Sequence, residues 1–98
     1  MLNPSDNGGW TPLHLAAQEG HIAVCEAIIK NISEKNPCDN DGWTPLHAAA
    51  RKCHIQVIKA MLNQVGNKNP VDNKGRTPKE IFLRHATKKD LENDIDWE

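Results

Sequence analysis

Tyrosine is absent from this chain and phenylalanine occurs once. A core built on large aromatic rings is therefore excluded, and three tryptophans in 98 residues call for a reason. No apolar run approaches the ~18 residues of a bilayer-spanning helix. Neither charge dominates. Twelve Lys and Arg against thirteen Asp and Glu leave a net charge of −1, which gives no reason to expect nucleic acid or an anionic membrane as partner. The opening "MLNPSDNGGW" lacks the basic and apolar regions of a signal peptide. Cys25, Cys38 and Cys53 make an odd count with no CxxC spacing. Free thiols in a reducing compartment are expected, hence a cytoplasmic location, with the nucleus as the alternative. A zinc site made from these cysteines with His21 and His54 is set aside, because the spacings fit no zinc template. No phosphate loop, HExxH or paired-carboxylate motif occurs. His85 has no Ser or Cys nucleophile at a suggestive local spacing. No enzyme activity, cofactor or metal is expected.

What is present is repetition. Asn3-Pro4, Asn36-Pro37 and Asn69-Pro70 recur 33 residues apart. So do Asp6-Asn7, Asp39-Asn40 and Asp72-Asn73, and again Thr11-Pro12, Thr44-Pro45 and Thr77-Pro78. His21-Ile22 and His54-Ile55 carry the register further. Units one and two, 6–38 and 39–71, are identical at 17 of 33 positions, and residues 72–98 form a shorter third unit. One domain over residues 1–98 is expected.

Each unit has a physical reading. "DNDG" (39–42) is a turn signal, since Asp and Asn bond their own backbone and Gly accepts positive φ. Thr44 fits a helix N-cap with Pro45 at the first helical position, where a missing N–H is harmless. His47, three residues after the cap, is placed to hydrogen-bond back to the Thr44 hydroxyl. Ala48, Ala49 and Ala50 lack bulk and let a neighbouring helix approach. Gly20 ends the first helix in a left-handed turn. Ile22, Val24, Cys25, Ile28 and Ile29 then carry a second helix at compatible spacing.

"G-W-T-P-L-H-x-A-A" followed by G-H-I, at a period of 33, resembles the ankyrin repeat. The resemblance spans residues 3–98. It implies an all-α solenoid of stacked antiparallel helix pairs with projecting β-hairpin-like loops. It also implies a non-enzymatic protein-binding module. Asn36 and Asn69 align with the asparagine that some cytoplasmic hydroxylases modify in such repeats, although here Lys precedes and Pro follows each.

Several positions depart from the pattern. Cys53 stands where unit one has Gly20. Lys35 and Lys68 replace a small apolar residue, and Ile32 and Val65 replace the usual glycine after the second helix. A second helix that runs longer is the expectation there. Lys79 and Glu80 replace Leu and His in unit three, and Thr77 with Glu80 still makes a capping box. Leu91 and Ile95 fall in register with Ile58 and Leu62, so residues 72–98 are expected to form a polar C-terminal cap with a solvated acidic end. Unit one is of internal type, and an excerpt from a longer array is expected; the alternative is an exposed first face.

The resemblance places recognition on the loop tips and the exposed side of the first helices. In unit one these are Asn7, Gly8, Trp10, Gln18 and Glu19; in unit two, Asn40, Asp41, Trp43, Arg51 and Lys52. In unit three they are Asn73, Lys74, Arg76, Arg84 and His85. Trp10 and Trp43 share one site in adjacent units, and tryptophan is a frequent binding anchor. The other reading is that each indole packs on its own loop and the neighbouring unit. Arg51, Lys52, Lys74, Arg76 and Arg84 make this side basic, unless Asp90, Glu92, Asp94 and Asp96 neutralise it. The expected partner is an acidic, partly apolar protein segment bound by a monomer. Rival readings are nucleotide or small-molecule sensing by the indole pair, and a structural spacer.

Overall fold

The computed structural model describes residues 8–33 and 37–97. Six helices follow in order: α1 (Pro12–Glu19), α2 (Ile22–Lys30), α3 (Pro45–Arg51), α4 (Ile55–Leu62), α5 (Pro78–His85) and α6 (Lys88–Leu91). The described residues contain no strand. α1, α3 and α5 pack side by side as one row, α2 and α4 as a second, and each of α1 and α3 also packs on its own partner. The arrangement is the expected all-α stack of helix pairs.

Local chemistry sets the start of every first helix. Thr11, Thr44 and Thr77 are extended N-caps whose hydroxyls accept from the third helical residue, with Pro at the first position. Leu13, Leu46, Ile58, Met61, Val57 and Phe82 supply core bulk. Ala17, Ala49 and Ala50 are fully buried and bring neighbouring helices close. Pro45 to Ala50 are all buried, as befits the middle helix of the row.

The loops are hairpin-like. Asp39 N–H donates to Trp43 O (2.8 Å) and Asp72 N–H to Arg76 O (3.0 Å), closing each turn. Asn40 N–H donates to Gly8 O (2.9 Å) and Asn73 N–H to Asp41 O (2.8 Å), tying each loop to the one before.

Gly20 and Cys53 both adopt the left-handed turn, at φ 76° and 56°. They differ in what lies beside them. A Cβ at Gly20 would sit 2.8 Å from the His54 ring. The residue equivalent to His54 in the next unit is Thr87, and Cys53 uses the room to donate its thiol to Asp90. Gly20→Ala should therefore cost about 2 kcal/mol, from left-handed strain and displacement of His54. Cys53→Gly should stay within about 1 kcal/mol of the parent. Urea midpoints of the two variants check this pair; equal losses would contradict the explanation.

Three expectations need correction. The second helices do not run longer: α2 ends at Lys30 and α4 at Leu62. Ile32 and Val65 instead fold down after the helix ends, Ile32 half-buried against the core and Val65 buried. Leu91 is not a core residue. α6 stops after one turn, leaving Leu91 exposed and Ile95 only half-buried. Nor is the acidic end wholly solvated. Trp97, at 8% exposure, lies against Phe82 with ring centroids 5.7 Å apart and closes the core at that end. Asn36 lies outside the described residues, and Asn69 is exposed.

Candidate functional site

The site begins with a histidine relay. Thr44 N–H donates to His47 Nδ1 (3.1 Å), so that nitrogen carries no proton. The proton is then on Nε2, which donates to the carbonyl of Arg76 in the next loop (2.9 Å). His14 does the same, accepting from Thr11 N–H (3.1 Å) and donating to Trp43 O (2.7 Å). Both imidazoles are fully buried. They start their own helix and hold the next loop. Burial pushes the His47 pKa down, against smaller upward effects from the Arg76 carbonyl and Asp72. In unit three, Glu80 Oε1 accepts from Thr77 N–H (3.1 Å), but a carboxylate has no proton to pass on. The relay stops there.

A second set of links runs through the tryptophans. Trp10 Nε1 donates to Asp39 Oδ2 and Trp43 Nε1 to Asp72 Oδ2, both at 2.8 Å. Each indole also lies against the histidine of its own helix, Trp10 to His14 at 5.3 Å and Trp43 to His47 at 5.6 Å between centroids. The Arg76 guanidinium sits 5.9 Å from the Trp43 ring centroid. The indoles thus bond their own helix and the neighbouring unit, one of the two readings open from sequence. Their N–H groups are committed to this internal network.

Asp39 and Asp72 receive these links. Asp39 Oδ1 accepts from Asp41 N–H and Trp43 N–H, both 2.8 Å. Asp72 Oδ1 accepts from Lys74 N–H and Arg76 N–H, both 2.9 Å, and Oδ2 from Arg76 Nε at 2.8 Å. Burial pushes the Asp72 carboxyl up, but the bonds from Arg76, Trp43 and Lys74 outweigh it and hold it at about 2. Sequence reasoning took both aspartates as turn formers and missed their second role. The signal was their recurrence at the same period as the tryptophans.

Between the loops lies a groove of about 310 Å³. Of the residues expected to bind, Trp10, Asp41, Trp43, Arg51, Asn73, Lys74 and Arg76 line it, joined by Asp39 and Asp72. Gln18, Glu19, Asn40, Lys52, Arg84 and His85 do not line it; all but the half-buried Gln18 are exposed. Arg76 is paired with Asp72, the one ion pair among the described residues. Arg51 and Lys74 are exposed and make no ion pair with a described residue. The groove therefore offers two cations with no ion pair to a described residue, beside the engaged carboxylates of Asp39 and Asp72 and the exposed one of Asp41. Asp90, one of the tail carboxylates named above as neutralising charges, accepts instead from Thr87 N–H (2.9 Å) and from the Cys53 thiol.

Among the described residues, no group of three or more His, Cys, Asp and Glu is arranged to hold a metal. No described helix is long and apolar enough to cross a membrane. The cysteines are unpaired: Cys25 buried, Cys38 exposed and Cys53 half-buried. Burial, with Glu26 nearby, raises the Cys25 thiol to about 11, which leaves it protonated and unreactive at neutral pH.

Capped helix pairs at a fixed period, tied loop to loop, define a helical repeat protein. Residues 16–62 match the family model described as "Ankyrin repeats (many copies)", which supports an ankyrin repeat family for the chain. Ankyrin repeats generally mediate protein–protein interaction, and the family is typically non-enzymatic. No curated protein matches the chain.

Proposed function

We propose that the groove between the Trp10 and Trp43 loops is the recognition surface for an acidic, partly apolar protein segment. The observation that supports this is the exposure of Arg51 and Lys74, which make no ion pair with a described residue, on a groove where Asp39, Asp72 and Arg76 are bonded internally and Asp41 is the remaining charged group. An extended segment laid across the loops puts its carboxylates on Arg51 and Lys74. Its apolar side chains lie along the indole edges. Asp41 at the exposed loop tip repels a wrongly shifted carboxylate and so helps to set the register. The tryptophans act through the groove's shape, because their hydrogen-bonding groups are already used.

The test is selection from a displayed random-peptide library, followed by titration of the selected peptides. Enrichment of Asp and Glu beside apolar residues is expected. The double charge reversal Arg51→Glu with Lys74→Glu should weaken binding at least about tenfold and flatten its salt dependence. Both side chains are exposed, so the variant should keep its circular dichroism spectrum and urea midpoint. Unchanged affinity in that folded variant would remove the groove from the account.

A further inference from the structure

Thr11, Thr44, Thr77 and Thr87 all cap helices, and the last differs from the others. The Thr11 and Thr44 hydroxyls lie 2.9 Å from His14 Nδ1 and His47 Nδ1, and the Thr77 hydroxyl donates to Glu80 Oε1 (3.3 Å). Each of these caps starts a helix that sends side chains into the core. The Thr87 hydroxyl accepts from Asp90 N–H (3.1 Å) and donates to no described residue. Thr87 is also exposed, whereas Thr44 is buried and Thr11 and Thr77 are half-buried.

The chain around Thr87 is weakly held. α5 ends at His85, Ala86 and Thr87 are extended, and α6 buries no residue. Residues 87–91 therefore lift from the surface without opening the core, which is the local exposure a modifying enzyme needs. Exposed cations frame the hydroxyl: Arg84 stands three residues before it, and Lys88 and Lys89 follow it directly. None of the three forms an ion pair with a described residue. The one side-chain tie from α6 to unit two runs through Asp90. Its carboxylate accepts from the Cys53 thiol and, at 2.9 Å, from the N–H of Thr87 itself.

We propose that Thr87 is a phosphorylation site for a protein kinase that reads basic residues, and that the phosphate releases Asp90 and unties α6 from unit two. The kinase supplies ATP. The Thr87 Oγ bonds to the γ-phosphorus, the bond from that phosphorus to the β–γ bridging oxygen breaks, ADP leaves, and the hydroxyl proton passes to the kinase's catalytic base. Arg84, Lys88 and Lys89 steer the segment onto an acidic substrate cleft. The product carries a charge of about −1.5 to −2 beside a carboxylate bonded to the same residue's amide, and like-charge repulsion at that range drives Asp90 away. The exposed lysines are screened by water and offset little of this. No residue of the loop groove takes part, so the inference stands independently of the function proposed for it.

The test treats the whole chain with ATP and a protein kinase selective for arginine three residues before its acceptor, and locates the phosphate by peptide mass spectrometry. Phosphate on Thr87 is expected. Arg84→Ala should slow its incorporation at least about tenfold while keeping the circular dichroism spectrum, because Arg84 is exposed and unpaired among the described residues. The phosphorylated chain should unfold at a lower urea midpoint than the unmodified one. Asp90→Asn keeps the acceptor oxygen and removes its charge, so phosphorylation should leave the midpoint of that variant unchanged. Phosphate on Ser33, which follows Lys30 by three residues, in place of Thr87 would overturn the proposal. So would incorporation at Thr87 that ignores Arg84→Ala, an unaltered midpoint, or a fall that is equally large in Asp90→Asn.

Discussion

His47→Ala is expected to lower stability by about 3–4 kcal/mol, the largest single-residue effect in this protein. The ring is fully buried, and the substitution opens a hole in the middle unit. It also strips a partner from the buried Thr44 N–H and from the Arg76 carbonyl, at roughly 1–3 kcal/mol for each buried group left unsatisfied. Loss of the middle unit separates units one and three, so unfolding should lose cooperativity as well as midpoint in a urea titration. The pH dependence has a definite sign. Burial lowers the folded-state pKa of His47 below the unfolded 6.5, so the unfolded chain binds the proton more tightly. The contribution of His47 is therefore fully present above about pH 6.5 and declines as pH falls toward the folded value. The chemical reason is that a protonated ring can no longer accept at Nδ1. His47→Ala should flatten that limb of the stability profile; an unchanged slope would assign it to other groups.

Asp72→Ala follows, with an expected loss of about 3 kcal/mol. One carboxylate takes Lys74 N–H, Arg76 N–H, the Arg76 guanidinium and the Trp43 indole, and its removal leaves these donors facing a small apolar side chain. Here the folded pKa, about 2, lies below the unfolded 3.8. The stabilisation is thus present above pH 4 and lost as pH falls from about 4 to 2, where the wild type and Asp72→Ala should converge. Trp43→Phe removes only the indole donor and should cost about 1 kcal/mol. Combined with Asp72→Ala it should cost less than the sum, because the two groups share one bond. Full additivity would place the indole elsewhere.

Much of the fold was legible because it is local chemistry repeated. Thr-Pro at the cap, the histidine three residues after it, the left-handed Gly20 and the alanines each fix a feature within a few residues. A 33-residue period then carries the features from unit to unit. What was not legible is what spans units. Asp39 and Asp72 look like turn residues because one carboxylate oxygen does serve the turn; the other reaches an indole 29 residues back. The pairing of Gly20 with His54, and of Cys53 with Asp90, is likewise a contact between neighbours in the stack. Trp97 escaped notice because its charged surroundings match a solvated end, and only the premature stop of α6 lets the chain turn back onto Phe82. The candidate site was half legible. Its loop tips and cations follow from the repeat register. The commitment of both indole N–H groups does not, and it is why the proposed recognition rests on Arg51 and Lys74 rather than on the tryptophans.

That commitment is the claim on which the rest depends. Hydrogen exchange of the three indole Nε1–H signals, followed by 1H–15N NMR, tests it most directly. Trp10 and Trp43 should exchange slowly, and Asp72→Ala should release Trp43 while leaving Trp10 protected. Indole protons of Trp10 and Trp43 that exchange as fast as those of an unfolded peptide would contradict the account, and would return both side chains to the solvent as free binding anchors.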